Sequence, residues 1–130
     1  MIGNKFLLDT NIIVAWLKGE VSIADKIDKA KEVHLPIIVV GELYYGALYS
    51  THVQKNIIDI QSITSHYNVL QIDEETTIVY GNIKAFLRKK GKPIPENDVW
   101  IAAIARRYKL TLITRDKHFK EIENISLKTW

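Results

Sequence analysis

The chain has 130 residues, of which 47% are hydrophobic and 25% charged, and it contains no cysteine. This length and composition predict one globular domain over residues 1–130, and the lack of thiols excludes a disulfide framework, a thiolate metal site and a cysteine nucleophile. The net charge of +3 is too small to indicate a partner by itself. Because no apolar run approaches the ~18 residues of a membrane span and no leader pattern opens the chain, we expect a cytoplasmic protein with no membrane partner.

Short β-branched and apolar runs alternate with segments of helical periodicity along the chain. In chain order the predicted elements are a strand at 6–8, helices at 12–17 and 22–31, a strand at 34–40, helices at 41–48 and 53–65, a strand at 69–72, a helix from 73 to 91, a loop at 93–96, a helix at 97–105, a strand at 110–114, a helical turn at 118–119 and a strand at 125–127. This alternation predicts an α/β fold, a three-layer α/β/α sandwich with a central parallel sheet.

Local rules give the predicted ends of several of these elements. Asp9 or Thr10 can cap the first helix, and Ser22 and Asn97 are the predicted N-caps of two later helices. Asp73 or Glu74 opens the helix that ends at Gly91, a residue type typical of helix C-termini. Pro36 lies near the start of the second predicted strand, where its missing N–H matters least.

Four acids occupy comparable positions in this scheme. Asp9 and Asp116 follow strands, Glu42 lies in the first turn of the helix after the second strand, and Asp98 opens the helix after the proline loop. Because the carboxyl ends of parallel strands and the N-termini of the next helices share one edge, we expect the four carboxylates to converge. They would repel one another without protons or cations, and oxygen ligands without cysteine favour Mg²⁺ or Mn²⁺. Such a site suits phosphodiester hydrolysis by metal-activated water.

Each acid also has a simpler interpretation. Asp9 could only cap a helix, Glu42 could form a buried salt bridge, Asp98 could be an ordinary first-turn acid, and Asp116 could be a turn residue. The combination of the four, rather than any one of them, favours a metal site.

Basic residues flank these acids, as expected if the acids hold metal while the bases hold a phosphate backbone. The alternative is a set of solvated surface charges. The residues predicted to contact nucleic acid are Arg88, Lys89, Lys92, Arg115 and Lys117.

At these residues the chain resembles the PIN-domain ribonucleases, in particular the VapC toxins of type II toxin–antitoxin pairs. The matching segments are Leu8-Asp9-Thr10-Asn11, Gly41-Glu42-Leu43 with Gly46, Asn97-Asp98 with Ile101-Ala102-Ala103, and Thr114-Arg115-Asp116 with His118-Phe119. They occur in the family's order and cover nearly the whole chain, whereas Asp-Thr-Asn alone would not be specific. Pro36-Ile37 departs from the many relatives that carry Ser or Thr there.

The resemblance implies a PIN-like fold and an endoribonuclease that uses Mg²⁺ or Mn²⁺. It implies metal ligation by Asp9, Glu42, Asp98 and Asp116, with support from Thr10, Asn11 and Thr114. The implied reaction is hydrolysis of an RNA phosphodiester by metal-activated water, which leaves a 5′-phosphate and a 3′-hydroxyl.

The resemblance also implies a homodimer and a cognate antitoxin that lies across the active-site groove. Residues on the first helices could line that groove, stack the bases of single-stranded RNA, or simply pack in the core. These residues are Trp16, Leu17, Tyr44, Tyr45 and Leu48.

Three other functions are weaker interpretations of the same residues. A phosphatase with Asp9 as aspartyl nucleophile would need an acid where Asn11 stands, and it leaves Glu42 without a role. A PIN-like domain that only binds RNA or protein is opposed by the presence of all four acids. A housekeeping RNA-processing nuclease is less favoured than a toxin because the short chain has no appended RNA-binding module. His118 is expected to cap or pack rather than to contact phosphate, and Glu96 to lie on a surface loop.

Overall fold

The computed structural model describes residues 4–130, which form one five-stranded sheet with helices packed on it. The strands are β1 Lys5–Leu8, β2 Glu32–Pro36, β3 Asn68–Leu70, β4 Thr111–Ile113 and β5 Ser126–Lys128. The helices are α1 Thr10–Leu17, α2 Val21–Lys29, α3 Ile37–Leu48, α4 Val53–His66, α5 Glu74–Lys90 and α6 Glu96–Tyr108, and a 3₁₀ turn spans Lys117–Glu121. Within the described residues, no helix is both long and apolar enough to cross a membrane.

The sheet has the strand order β3-β2-β1-β4-β5, and all four pairings are parallel. From β1 the chain first adds β2 and β3 on one side and then returns to add β4 and β5 on the other side. The direction of winding therefore reverses between β1 and β4, and such a reversal opens a crevice at the carboxyl ends of the two strands. The predicted α/β sandwich with a central parallel sheet is confirmed.

The core lies under this crevice. Leu7 and Leu8 of β1 are fully buried, as is Ile113 of β4. In α6 all five residues from 101 to 105 are buried, because this helix packs on the sheet and also pairs with α5. The middle of α6 therefore lies in the core, and its N-terminal end, with Asp98, lies at the crevice.

The second strand and the third helix differ from the sequence prediction. Strand β2 ends at Pro36 instead of continuing to residue 40, and α3 starts at Ile37 rather than at Gly41. Pro36 closes the strand and serves as the N-cap residue of α3, since its fixed φ suits the entry to a helix. The β-branched run after it is helical because burial of Val39 and Val40 outweighs a small difference in intrinsic propensity. Glu42 consequently lies in the second turn of α3, not in the first.

Helix caps were predicted with mixed success. Asp9 caps α1, Asp73 caps α5 in a capping box with Thr76, and Gly91 ends α5 in the left-handed conformation, as expected. Ser22 and Asn97 are not caps, because their helices begin one residue earlier, after Glu20 and Pro95 respectively. Glu96 is therefore the first residue of α6 and not a loop residue.

Candidate metal centre

Asp9 lies at the crevice, between the end of β1 and the start of α1. Its side chain is held on both oxygens: Oδ1 accepts the Thr10 N–H at 2.8 Å, and Oδ2 accepts the Thr114 hydroxyl at 2.7 Å. Asp9 is only 5% exposed, although it is a carboxylate. Hydrogen bonds to both oxygens give this buried carboxylate a defined orientation. Such an arrangement favours a functional role over that of an ordinary surface acid.

Asn11 and Thr114 join the two loops that form the crevice. The Asn11 amide nitrogen donates to Asp9 Oδ2 at 3.3 Å, and its oxygen accepts the Arg115 N–H at 3.1 Å. The Thr114 hydroxyl accepts the Asp116 N–H at 2.9 Å. These bonds fix the segment after β4 against the first turn of α1, so the orientation of Asp9 and the position of Asp116 are coupled.

Glu42 reaches the same edge from α3. Its Oε1 atom accepts the Thr10 hydroxyl at 2.8 Å, and Thr10 also donates its backbone N–H to Asp9. Thr10 thus connects two of the four acids, although the helical position of Glu42 was predicted wrongly.

Asp98 and Asp116 meet at the imidazole of His118. His118 Nδ1 lies 3.0 Å from Asp116 Oδ1 and 3.4 Å from Asp98 Oδ2. Donor atoms of the three side chains lie within 4.8 Å of one another. The N-terminus of α6 therefore lies at the crevice, as expected for Asp98, whereas His118 was expected only to cap or pack.

The charges of the acids are not compensated by strong bases. Burial raises the pKa of Asp9, against the lowering effect of its Thr114 and Thr10 donors, and the charges of Glu42 and Asp116 raise it further. Burial also raises the pKa of Asp98, to about 6, with contributions from the charges of Asp9 and Asp116 and an opposing one from His118. Among residues 4–130, no lysine or arginine forms an ion pair with any of the four acids.

This combination fits a divalent cation. Oxygen atoms of four carboxylates lie at the carboxyl edge of the sheet. The pKa values of Asp9 and Asp98 are raised, so additional positive charge would stabilise their ionised forms. Of the seven residues predicted for the site, the structure brings all to this edge: Asp9, Thr10, Asn11, Glu42, Asp98, Thr114 and Asp116. His118 was assigned only a capping or packing role, and the sequence signal for its place at the site was its position two residues after Asp116.

The predicted basic residues have different surroundings. Arg115 is engaged elsewhere: its guanidinium donates to both Glu20 oxygens, at 3.1 and 2.6 Å, and to the Trp130 carbonyl at 2.9 Å. The last turn of α5 carries Arg88 and Lys89, and Lys90 in the same turn contacts Glu121 at the end of the 3₁₀ turn.

An apolar groove runs beside the acids between α1, α3 and α4. It encloses about 410 Å³ and has Thr10 and Glu42 at one end. Its apolar lining consists of Val14, Leu17, Leu43, Ala47 and Ile60.

Only Leu17 of the five predicted groove residues lines this groove. Trp16 packs edge-to-face on Tyr67, and Tyr44 packs against the core. Tyr45 and Leu48 are exposed on α3, and Tyr45 lines a second, open cleft with Glu42 and Asn97.

The chain matches known proteins over nearly its full length. The model of the PIN domain family matches residues 6–125. The chain is 35% identical over 129 residues to "Ribonuclease VapC2" of Haemophilus influenzae, a match that covers 97% of this chain and 98% of the relative. It is 30% identical to "tRNA(fMet)-specific endonuclease VapC" of Salmonella typhimurium, with 97% of this chain and 98% of the relative covered.

Among solved structures, a similar one is that of VapBC2 from Rickettsia felis bound to a DNA fragment from their promoter. The TM-score is 0.91 at 31% identity, with 100% of this chain and 99% of the solved chain covered.

Proposed function

We propose that this chain is a divalent-metal-dependent endoribonuclease that acts as the toxin of a toxin–antitoxin pair, since it belongs to the PIN domain family and, within it, to the VapC ribonucleases. The observation that carries this proposal is the gathering of four acids at the β1/β4 crevice, where no lysine or arginine among residues 4–130 forms an ion pair with them. We also propose that residues 1–130 form a single PIN domain.

Asp9, Glu42, Asp98 and Asp116 would hold Mg²⁺ or Mn²⁺. Such an ion lowers the pKa of a bound water and stabilises charge on the attacking and leaving oxygens of a phosphodiester. Hydrolysis in which water oxygen joins phosphorus and the 3′-oxygen leaves gives a 5′-phosphate on one fragment and a 3′-hydroxyl on the other.

The chain's own residues supply orientation. Thr114 and Asn11 hold Asp9, and Thr10 holds Glu42, so these carboxylates need little reorganisation when they bind a cation. A five-residue loop joins the basic end of α5 to α6, whose first turn carries Asp98, and Arg88, Lys89 and Lys92 remain our proposed phosphate contacts. Lys117, in the 3₁₀ turn beside the acids, is a further one. Arg115 could join them only by leaving Glu20.

The apolar groove between α1, α3 and α4 is the proposed antitoxin site. An amphipathic helix or strand of a partner could bury its apolar residues against Leu17 and Leu43 and reach the acids through the end of the groove at Thr10 and Glu42. Relatives solved as VapBC complexes support this partner class. We further propose a homodimer, which sedimentation would detect as twice the 15.0 kDa of one chain.

Cleavage of purified RNA tests the nuclease proposal. Total cellular RNA and initiator tRNA, the latter chosen because the Salmonella relative is named for it, are incubated with the protein in Mn²⁺, Mg²⁺ or EDTA. We expect discrete fragments with metal, none in EDTA, and none from Asp9→Asn. Equal cutting in EDTA or by that variant would overturn the metal mechanism. Tight RNA binding without cutting in any condition would favour a domain that only binds.

A further inference from the structure

His118 brings an imidazole nitrogen to the crevice, where the other candidate metal ligands are carboxylate oxygens. It lies in the 3₁₀ turn that follows Asp116, and its ring is 52% exposed. Two of the carboxylates lie beside its Nδ1 atom.

Two of the separations between these donors are close to those around one cation. An octahedral ion with metal–ligand distances of about 2.1 Å places neighbouring donors about 3 Å apart. Nδ1 lies 3.0 Å from Asp116 Oδ1 and 3.4 Å from Asp98 Oδ2. A cation at the shared side of the three groups would thus require only small side-chain movements.

The local structure holds the imidazole in this place. Asp116 caps the 3₁₀ turn through the His118 N–H, at 2.9 Å, and the next residue, Phe119, is fully buried. The turn is also attached at its far end by Lys90, which contacts Glu121. The backbone of His118 is therefore fixed from both sides, while the ring stays open to solvent and to an entering ion.

We propose that His118 Nδ1 is a direct ligand of the metal, together with Asp98 and Asp116, so that the site prefers transition ions such as Mn²⁺ over Mg²⁺. This inference rests on the proposed function, because it concerns the same metal centre. Mg²⁺ takes oxygen ligands almost exclusively and keeps several waters, whereas an imidazole nitrogen adds affinity for first-row transition ions. The alternative is a histidine that only pairs electrostatically with the two acids.

Nitrogen coupling to bound Mn²⁺ distinguishes these two roles. Electron spin echo envelope modulation is recorded on the Mn²⁺-loaded protein at natural isotope abundance and with ¹⁵N-labelled histidine. We expect a ¹⁴N coupling that is replaced by a ¹⁵N coupling on labelling and that disappears in His118→Gln. Bound Mn²⁺ without nitrogen coupling would overturn the inference and leave the nuclease proposal standing. Failure to bind Mn²⁺ at all would overturn both.

Relative affinities give a second readout. We expect His118→Gln to weaken Mn²⁺ binding about tenfold while Mg²⁺ binding, measured by competition, changes less than about twofold. His66→Gln, which changes an exposed histidine on α4, is the matched control and should alter neither affinity. Equal losses for both ions in His118→Gln would contradict direct nitrogen ligation. Circular dichroism of both variants checks that the fold is retained.

Discussion

At the scale of single residues, the Thr114 hydroxyl connects the two halves of the site. It donates to Asp9 and accepts the Asp116 N–H, at 2.7 and 2.9 Å. Thr114→Val keeps the shape of the side chain but removes both bonds, so Asp9 and Asp116 would lose their fixed relation. We expect the cleavage rate to fall about 10- to 100-fold, whereas Thr114→Ser should stay close to the wild type. Single-turnover rates decide this, and a valine variant as fast as the serine variant would contradict the role assigned to the hydroxyl.

The Asp98 carboxyl gives a pH dependence of stability in metal-free protein. Its pKa rises from 3.8 to about 6 on folding, so the folded protein binds this proton more tightly than the unfolded chain. The resulting stabilisation is complete below about pH 4 and is lost as the pH rises through about 6. The asparagine in Asp98→Asn stays neutral at every pH. The free energy of unfolding of this variant should therefore equal that of the wild type near pH 4 and exceed it near pH 7 by up to about 3 kcal/mol.

Urea unfolding in EDTA measures this difference at several pH values. If the difference in free energy of unfolding between the two proteins stayed constant from about pH 4 to about pH 7, ionisation of Asp98 would not destabilise the folded protein. Adding Mn²⁺ near pH 7 should reverse the order, because only the wild type has the full set of carboxylates to bind it.

The four acids could be predicted as site residues from the sequence, whereas His118 could not. Asp9 and Asp116 follow apolar strands, a position that open parallel sheets use for ligands, so topology alone brought them together. His118 reaches the acids only because a capped 3₁₀ turn directs its ring back to Asp116. That turn geometry depends on three-dimensional contacts and leaves no periodic signal.

At the scale of elements, the end of α5 allows a clean test of local stability. Gly91 has φ +72°, and a Cβ added there would meet nothing within 4 Å. Gly91→Ala should therefore cost about 1 kcal/mol from backbone strain alone. Gly81, exposed within the same helix and also free of neighbours, is the control: Gly81→Ala should stabilise by about 0.5 to 1 kcal/mol.

Chemical denaturation of the two glycine variants gives both values. A neutral Gly91→Ala would mean that the left-handed conformation at residue 91 is not required for ending α5. Because Gly91 was recognised from the sequence as a helix end, this experiment also tests a rule that the sequence alone supplied.

The boundary between β2 and α3 shows where element prediction fails. The run Leu-Pro-Ile-Ile-Val-Val has strong β propensity, and the sequence interpretation extended the strand through it. In the structure Pro36 ends the strand and Ile37 begins a helix, because packing of Val39 and Val40 in the core decides the conformation. The free energy gained by burying these side chains exceeds the differences in intrinsic propensity, which are a fraction of a kcal/mol per residue.

At the scale of the whole molecule, a substitution in the groove between α1, α3 and α4 should weaken antitoxin binding without changing RNA cleavage. Leu17 lines the groove and is 39% exposed, but it takes no part in the acid network. Leu17→Asn should weaken binding of the proposed antitoxin by about tenfold or more, while cleavage of RNA is unchanged. Ile78→Asn, which alters an exposed isoleucine on α5 away from the groove, should leave antitoxin binding intact.

Titration calorimetry with the purified antitoxin gives the two affinities. Equal weakening by Leu17→Asn and Ile78→Asn would place the antitoxin elsewhere. Global architecture was predictable because alternating strands and helices admit few parallel topologies, but the groove was not. Its lining combines residues from three helices whose mutual packing no single segment determines, which is why Trp16 and Tyr44 turned out to pack against the core instead.

The most direct test of the metal-hydrolysis account is the fate of solvent oxygen during cleavage. The protein cuts a defined RNA in H₂¹⁸O with Mn²⁺, and mass spectrometry examines the fragment ends. Attack by an activated water predicts one ¹⁸O in the new 5′-phosphate and an unlabelled 3′-hydroxyl on the other fragment. A 2′,3′-cyclic phosphate with an unlabelled 5′-hydroxyl would show that the RNA's own 2′-hydroxyl is the nucleophile, and it would contradict the mechanism assigned to the four acids.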